Sequence, residues 1–186
     1  MADVRERVRA TFREANAVDH AIYDAIARTP TPSLDRELAT LSRFADHSKL
    51  WLTCSAGLAV AGGRQGRSAA ARGLAAIALA SGGVNLGVKL LSRRHRPDRT
   101  EVPEARHVRM PISSSFPSGH SASAFAFATA AGNSSLAVDL PLRLLAALVA
   151  YSRVHTGVHY PADVVTGALI GTAVAQVATH ALDRSG

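Results

Sequence analysis

The sequence is poor in cysteine and in aromatic residues. Its single cysteine, Cys54, excludes an internal disulfide and a cysteine-based metal cluster. Only 5% of the 186 residues are aromatic, whereas alanine, glycine and leucine dominate. Because alanine and leucine favour helices while aromatic and β-branched residues favour strands, the composition predicts an all-α chain.

Acidic residues are outnumbered by basic ones, 14 to 21, which gives a net charge of +7 at neutral pH. Such an excess indicates a nucleic acid, an anionic membrane surface or an anionic substrate as partner. Nucleic acid ranks last, because no nucleic-acid motif is present and few aromatic residues lie among the basic ones. The N-terminus carries charges where the apolar core of a signal peptide would lie, so no cleavable signal is expected.

Long uninterrupted apolar runs are also scarce, and the mean hydropathy is only slightly positive. Five apolar segments follow residue 49, and several are shorter than the roughly 20 residues that cross a bilayer. Only the fifth is long and uncharged enough to span a membrane alone, although Arg and Lys near the ends of the others can snorkel. By hydropathy alone, a soluble helical bundle stays an alternative. The segments are Leu50–Gly62, Gly73–Leu91, Ser121–Leu136, Leu142–Tyr151 and Val164–Leu182.

The N-terminal region predicts two amphipathic helices, over residues 3–28 and 34–47. Apolar residues such as Val4 and Val8 recur at helical spacing between charged ones. The first helix either packs on the main body or lies on a membrane surface. The chain is therefore divided into an N-terminal amphipathic segment, 1–44, and a helical core, 45–186.

Three polar clusters interrupt the apolar segments, and the first contains Lys89 and Arg96. The seven-residue spacing predicts that both cations lie on one face of a helix, which Pro97 ends. Two cations at a helix end can bind one anion together. The alternative is a basic helix end that complements the helix dipole or faces lipid headgroups.

The second cluster is Pro117-Ser118-Gly119-His120, at the start of an apolar run. Ser118 is suited to cap a helix, and Gly119 allows a ligand to approach the backbone closely. A helix that begins here directs unpaired N–H groups towards a phosphate, and His120 can carry a proton near neutral pH. Taken alone, the pattern is also that of an ordinary turn and cap.

The third cluster contains Ser152-Arg153, His159 and Asp163. Asp163 lies in the first turn of the next predicted helix, from which it can reach back and hold the His159 ring. The alternative is a histidine bonded to a helix-capping aspartate. If successive helices alternate in direction, all three clusters lie at the same side of the bundle. The sequence therefore predicts one site with cations, two histidines, a carboxylate and a helix N-terminus.

Together these residues resemble the type 2 phosphatidic acid phosphatase family, which is related to vanadium haloperoxidases and bacterial class A acid phosphatases. The family pattern is Lys, six residues, Arg-Pro; then Pro-Ser-Gly-His; then Ser-Arg, five residues, His, three residues, Asp. The sequence matches every fixed position over residues 89–163, and the helix order extends the resemblance over roughly 45–182. The matching residues are Lys89, Arg96-Pro97, Pro117 to His120, Ser152-Arg153, His159 and Asp163.

The resemblance implies a role for each matched side chain. His159 is similar to the family's nucleophile, which carries a transient phosphohistidine, and Asp163 to the residue that orients it. His120 is similar to the general acid that protonates the leaving alkoxide. The implied phosphate-binding groups are Lys89, Arg96, Arg153, Ser118 and the Gly119 amide. No metal or other cofactor is implied, and His95, His107, His155, Tyr160 and Phe116 are interpreted as structural or solvated.

The resemblance further implies a multi-pass membrane bundle of about five core helices that acts on lipid phosphates. Phosphatidic acid, phosphatidylglycerol phosphate, a polyprenyl pyrophosphate and a polyprenyl-linked sugar phosphate are all candidate substrates. A lipid-phosphate phosphotransferase and a non-enzymatic protein that binds anionic lipid remain alternatives. An outward-facing site would leave Arg64, Arg67, Arg72 and Arg143 on the cytoplasmic side, although the cations of the site confound this count. The oligomeric state is left open.

Overall fold

A computed structural model describes residues 2–89, 92–133 and 135–185, and over these ranges the chain is helical without β-strands. The predicted all-α class is therefore confirmed. Short 3₁₀ turns at Asp46–Ser48 and Glu104–Arg106 lie between the longer helices. These helices are α1 (Ala2–Arg28), α2 (Pro32–Phe44), α3 (Lys49–Ala61), α4 (Gly63–Gly82), α5 (Gly119–Gly132), α6 (Leu136–His155) and α7 (Pro161–Ser185).

Helix α5 forms the centre of the bundle and packs against α4, α6 and α7. A helix that is apolar on every side is typical of a buried core position, and small side chains allow neighbouring helices to approach closely. Ala124 and Ala128 on one side of α5 and Ala126 on another side are completely buried. Phe127 fills the space on one side, where it packs against Trp51 of α3 with ring centroids 5.2 Å apart. The alanine-rich sequence thus allows α4, α6 and α7 to pack closely around α5.

The N-terminal helices pack on this bundle through their second halves. Tyr23 and Ala27 of α1 are buried against Val154 and Tyr160. By contrast, Val4, Val8 and Phe12 in the first half of α1 remain exposed. Both predicted modes of contact are therefore available to α1, since one half packs on the body and the other presents an apolar face.

Arg106 connects the N-terminal helices to the polar segment between α4 and α5. Its guanidinium is completely buried and lies 2.8 Å from Oδ1 of Asp35 on α2. Thr31 and His155 also bond Asp35, and together these hydrogen bonds lower the pKa of its carboxyl group although burial alone would raise it. Arg106 donates further hydrogen bonds to the carbonyl groups of Ile26, Ala27 and Thr29 and to the hydroxyl of Thr31.

Replacing Arg106 with alanine is expected to destabilise the protein by about 3–5 kcal/mol, because Asp35 would stay buried without its cation. The measurement is thermal or denaturant unfolding of the purified protein in detergent. Arg143→Ala is the matched control, because its ion pair with Asp139 is 43% exposed on the arginine side and should contribute at most about 1 kcal/mol. Equal losses in the two variants would contradict this prediction.

Within the residues that the structure describes, two helices, rather than one, are long and apolar enough to cross a membrane by length and composition. They are Gly63–Val88 and Pro161–Ala181. The first differs from the predicted segment because it begins ten residues earlier, at a tight turn where Gly63 adopts a φ of 56°. It continues beyond Gly82 as a π-helical stretch, Gly83–Val88. The predicted end of that segment, Leu91, lies outside the described residues.

Two other predicted boundaries were wrong. The third segment ends as a helix at Gly132 rather than at Leu136, and the Ser135 N–H donates a hydrogen bond to the Gly132 carbonyl. Leu136 instead begins α6, which continues to His155. The second N-terminal helix spans Pro32–Phe44 and is followed by a separate 3₁₀ turn, so it does not reach residue 47.

The prediction that Lys89 and Arg96 share one helix face was also wrong. The described part of the helix reaches Lys89, and residues 92–99 are not helical. Pro97 disfavours helix at the residue before it, and the Arg96 guanidinium instead donates to the carbonyl groups of Ser113 and Ser114. The two cations therefore approach the same region from a helix and from a non-helical segment.

Candidate active site

The helix ends that carry the three motifs lie at one side of the bundle, as the alternating topology predicts. Helix α7 packs closely on α5, because a Cβ at Gly167 would overlap the Ser118 carbonyl and a Cβ at Gly171 would overlap that of Ala122. At the end of this contact the Ser118 N–H donates to the carbonyl oxygen of Asp163 over 2.9 Å. The N-terminus of α5 is thereby fixed beside that of α7.

His159 lies in the loop between α6 and α7, and its ring is 2% exposed. Gly157 reverses the chain in this loop with a φ of 69°, and the His159 N–H then donates to the Arg153 carbonyl over 3.1 Å. The ring Nε2 lies 3.3 Å from Nη1 of Arg96, and Nδ1 lies 3.5 Å from Oδ2 of Asp163. An arginine only donates hydrogen bonds, so this geometry favours an unprotonated Nε2 and a proton on Nδ1.

The Asp163 carboxylate is completely buried and receives several hydrogen bonds. The Tyr160 N–H donates over 2.9 Å, and Nη1 of Arg94 lies 2.7 Å from Oδ1. The hydroxyl of Ser115 also donates to Oδ2. Asp19 of α1 holds the other side of Arg94 at 2.5 Å, and so the N-terminal helix supports the carboxylate indirectly.

Three cations gather beside the two histidines. Lys89 is half-buried, and both this burial and the charges of Arg96 and Arg153 lower its pKa. Arg153 is 1% exposed and donates from Nη1 to the Ser42 hydroxyl over 2.6 Å. Its Nε is buried and has no hydrogen-bond partner in the part of the chain that the structure describes. Clustered cations with an unused donor form a region suited to bind an anion.

His120 lies in the first turn of α5, where Ser118 caps the helix. The Ser118 hydroxyl is buried and accepts hydrogen bonds from the N–H and the hydroxyl of Ser121. The His120 Nε2 lies 2.8 Å from Oδ1 of Asp46, in the 3₁₀ turn after α2, and the same oxygen lies 3.7 Å from Nη1 of Arg153. Asp46 therefore connects a histidine with a cation of the anion-binding region.

A cavity of about 220 Å³ opens beside His120 and Lys89. Most of its lining is polar, and two of the serines, Ser81 and Ser123, hydrogen-bond each other with their oxygens 2.9 Å apart. The cavity has room for a small polar group. The lining residues are Ala45, His47, Ser48, Trp51, Ser81, Lys89, Gly119, His120 and Ser123.

Comparison with known proteins identifies the family. The sequence profile of the PAP2 superfamily matches residues 70–186. The chain belongs to the PAP2 superfamily. The family predicted from the motifs is thus confirmed, and all three motifs lie within the matched residues 70–186.

Among the sequence relatives are two mycobacterial decaprenylphosphoryl-5-phosphoribose phosphatases. The protein of Mycobacterium tuberculosis (strain CDC 1551 / Oshkosh) is 36% identical over 138 residues, which cover 74% of each chain. The protein of Mycolicibacterium smegmatis is 36% identical over 155 residues, covering 83% of this chain and 82% of the other.

Two crystal structures of PAP2-like folds resemble this one. Aquifex aeolicus LpxE superposes with a TM-score of 0.68 at 25% identity, covering 86% of this chain and 93% of its own. A transmembrane PAP2-type phosphatidylglycerolphosphate phosphatase from Bacillus subtilis superposes with a TM-score of 0.69 at 22% identity, covering 92% and 87%. At 22% identity, the similarity to the Bacillus subtilis protein shows that the two chains share a fold.

Five further residues near the motifs were interpreted from the sequence as structural or solvated, and the structure places them in other contacts or on the surface. His155 is buried and lies 3.1 Å from Oδ1 of Asp35, and His107 lies 3.0 Å from the Val102 carbonyl. His95 is exposed. The Tyr160 ring packs against His20 on one side, and the Arg94 guanidinium lies 4.4 Å from the centroid of the Tyr160 ring. Phe116 is half-buried in the segment before the helix.

Burial strongly affects the charge state of His159 in this PAP2 protein. It lowers the pKa to about 3, and the positive charges of Arg96 and Arg153 act in the same direction, while Asp163 opposes them. The imidazole is therefore neutral at neutral pH, which leaves a lone pair on the ring for reaction.

This shift predicts a pH-dependent stability. Below about pH 6.5 His159 is protonated in the unfolded chain, whereas it stays neutral in the folded chain down to about pH 3. The free energy of unfolding therefore decreases as the pH falls from 6.5 towards 3. The expected loss is about 1.4 kcal/mol per pH unit within this window. His159→Asn removes the titrating group, and its unfolding midpoint should fall less on acidification than that of the wild type. An equal fall of the unfolding midpoint with pH in the variant and the wild type would contradict the prediction.

Proposed function

We propose that this PAP2 protein is an integral-membrane lipid phosphatase that hydrolyses a lipid phosphate through a phosphohistidine on His159. The observation that carries the proposal is the buried, neutral His159, which lies between a fixed carboxylate and a cluster of cations. The phosphatase activity in the names of the mycobacterial relatives supports it. Each residue role below belongs to the same proposal.

The first half of the reaction transfers the phosphoryl group to the protein. Nε2 of His159 attacks phosphorus while Asp163 stabilises the charge that develops on the ring through Nδ1. The bond from phosphorus to the leaving oxygen breaks, and His120 donates a proton to the resulting alkoxide. The charge on the transferred group is met by fixed donors, which account for much of the catalysis. These donors are Lys89, Arg96, Arg153, the Gly119 amide and the Ser118 hydroxyl.

The second half releases phosphate. Neutral His120 takes a proton from a water molecule, whose oxygen attacks the phosphohistidine. The bond from phosphorus to Nε2 of His159 breaks, and the ring returns to its neutral state. Every proton is thus transferred between His120 and oxygen, so the proposed cycle requires neither a metal nor another cofactor.

The substrate that fits best is a polyprenyl-linked sugar phosphate. The leaving alcohol departs on the side of His120, and the cavity beside His120 is lined by the hydroxyl groups of Ser48, Ser81 and Ser123. Such a lining suits a hydroxylated alcohol better than diacylglycerol. The names of the mycobacterial relatives, which specify a decaprenylphosphoryl phosphoribose, agree with this choice. Phosphatidic acid, phosphatidylglycerol phosphate and polyprenyl pyrophosphates are the competing substrates.

We also propose that residues 45–186 form the catalytic core and that the active site faces the extracytoplasmic side. Arg64 and Arg67 at the start of α4 and Arg143 near the start of α6 lie at the ends away from the site. Cations at the ends opposite the site are typical of cytoplasmic loops, and the cations beside the site are assigned to the phosphate.

The experiment is phosphate release by the purified protein in detergent, with EDTA and without added metal, from the four substrate classes. Release in EDTA with preference for the sugar phosphate is expected. A phosphorylated peptide that contains His159, stable to alkali and labile to acid, should accumulate during turnover. Transfer of phosphate to an added alcohol instead of water would indicate a phosphotransferase. Binding of every lipid without any release would indicate a non-enzymatic lipid-binding protein and overturn the proposal.

A further inference from the structure

A carboxylate outside the three motifs contacts His120. Asp46 lies in the 3₁₀ turn Asp46–Ser48 between α2 and α3, and its Oδ1 is 2.8 Å from Nε2 of the histidine. Both side chains are partly buried, at 26% and 32% exposure, so the pair is shielded from solvent but adjoins the active site. The motifs that identify the family do not include this position.

The charges around His120 are otherwise positive. Lys89, which follows the π-helical stretch after α4, and Arg153 from α6 both act electrostatically on the ring. Burial is the main cause that lowers the pKa of His120, and these two cations, which suit the phosphate, lower it further because like charges disfavour each other. Asp46 supplies the opposite charge, and His120 and Arg153 hold the pKa of its carboxyl group below its ordinary value although burial alone would raise it. Asp46 is therefore ionised at neutral pH.

The backbone after Asp46 adopts a conformation that non-glycine residues rarely accept. His47 and Ser48 have φ values of 55° and 59°, both in the left-handed region. Strain of this kind persists when the surrounding structure requires it, and it is frequent at functional sites. Here the two residues turn the chain sharply between α2 and α3, and this turn presents Asp46 to His120.

We propose that Asp46 is a positioning residue of the phosphatase reaction, which orients the His120 ring through Nε2 and favours its protonated form until the leaving alkoxide takes the proton. The inference rests on the proposed function and adds a residue to its machinery. Because Asp46 binds Nε2, the proton that moves comes from Nδ1. The Nδ1–H bond breaks, an O–H bond forms on the alkoxide, and the imidazolium becomes a neutral imidazole. The attacking water later returns a proton to Nδ1, and Asp46 remains a carboxylate throughout.

The test compares two leaving groups, of which one must be protonated as it departs and the other need not be. An alkoxide from a lipid phosphate must be protonated as it departs, whereas the p-nitrophenolate from p-nitrophenyl phosphate departs as an anion. Asp46→Asn is expected to lower kcat on phosphatidic acid about 10²-fold, near the lower limit of general-acid effects, and to change kcat on the aryl phosphate less than about threefold. The alkaline limb of the kcat profile on phosphatidic acid should also move to lower pH.

Three further variants separate this role from a structural one. Asp46→Glu keeps the charge and should recover part of the activity. In a His120→Ala background, Asp46→Asn should cause no further loss on phosphatidic acid, because the two residues act as one unit. Asp139→Asn, an acid paired with Arg143 near the opposite end of the bundle, is the matched control and should leave both activities unchanged.

Two results would overturn the inference: an equal loss on both substrates, or an additional loss from Asp46→Asn when His120 is already absent. Either could occur while the wild type still releases phosphate, so the proposed function would survive. By contrast, a folded wild-type protein that releases phosphate from none of the four substrate classes would refute the proposed function itself.

Discussion

Replacing His159 with alanine is expected to abolish phosphate release, with a loss in kcat of about 10⁴-fold or more. The expectation follows from covalent catalysis, in which removal of the nucleophile leaves only the groups that bind the phosphate. Because the ring is buried and contacts Arg96 and Asp163, no neighbouring side chain can take over its role without rearrangement. The measurement is initial phosphate release from the preferred lipid at saturating concentration.

His155→Ala is the control for this loss. His155 is as deeply buried as His159 but pairs with Asp35, so its removal should lower the unfolding temperature while kcat stays within about tenfold of the wild type. The phosphorylated peptide should be absent in His159→Ala and present in His155→Ala. Residual turnover in His159→Ala above one hundredth of the wild-type rate would contradict a histidine nucleophile at this position.

Much of the fold could be predicted because the apolar segments and their breaks are local features. The alternation of helix direction follows from short connections, and it correctly predicts that the ends carrying Lys89, Gly119 and Arg153 lie together. Helix lengths were predicted less well. α4 begins at Gly63 although Arg64 and Arg67 interrupt its apolar pattern, since cations at a helix end are tolerated when their side chains reach solvent.

The part of the site that could not be predicted consists of residues whose partners are remote in sequence. Arg94 contacts Asp163 and Asp19 across 69 and 75 residues, and Asp46 contacts His120 across 74. A motif with fixed spacing predicts contacts within one helix or turn. It does not predict which carboxylates of other helices lie beside it. Arg94 is one of several arginines between Ser92 and Phe116, and neither Arg94 nor Asp46 was predicted to belong to the site.

These remote contacts also explain why the N-terminal segment belongs to the functional unit, although it lies outside the motifs. Asp19 of α1 binds Arg94 and accepts a hydrogen bond of 2.7 Å from the Ala162 N–H, at the start of α7. Loss of α1 would thus free the arginine that orients Asp163. The exposed apolar residues in the first half of α1 extend beyond this contact, and so the segment that supports the site also presents an apolar surface.

Replacing Arg153 with lysine is expected to lower kcat/KM about 10²–10³-fold, although the charge is kept. Nη1 of Arg153 is fixed by Ser42, and the buried Nε remains without a partner in the described residues, so the planar guanidinium offers a phosphate a donor in a set direction. A lysine ammonium is a point charge that cannot bond Ser42 and the phosphate in the same geometry, and a loss of this size is typical when one oriented donor to a developing charge is removed.

Vanadate provides a second measurement for the same variant, because it imitates the phosphoryl group in transfer and should inhibit the wild type. If Arg153 acts chiefly in the transition state, Arg153→Lys should weaken vanadate inhibition by a factor close to the loss in kcat/KM, whereas KM for the lipid should change little. Arg143→Lys, on the exposed pair with Asp139, should leave both quantities unchanged. An Arg153→Lys enzyme that keeps wild-type kcat/KM would show that this buried guanidinium serves the packing of α2 against α6 and not the phosphate.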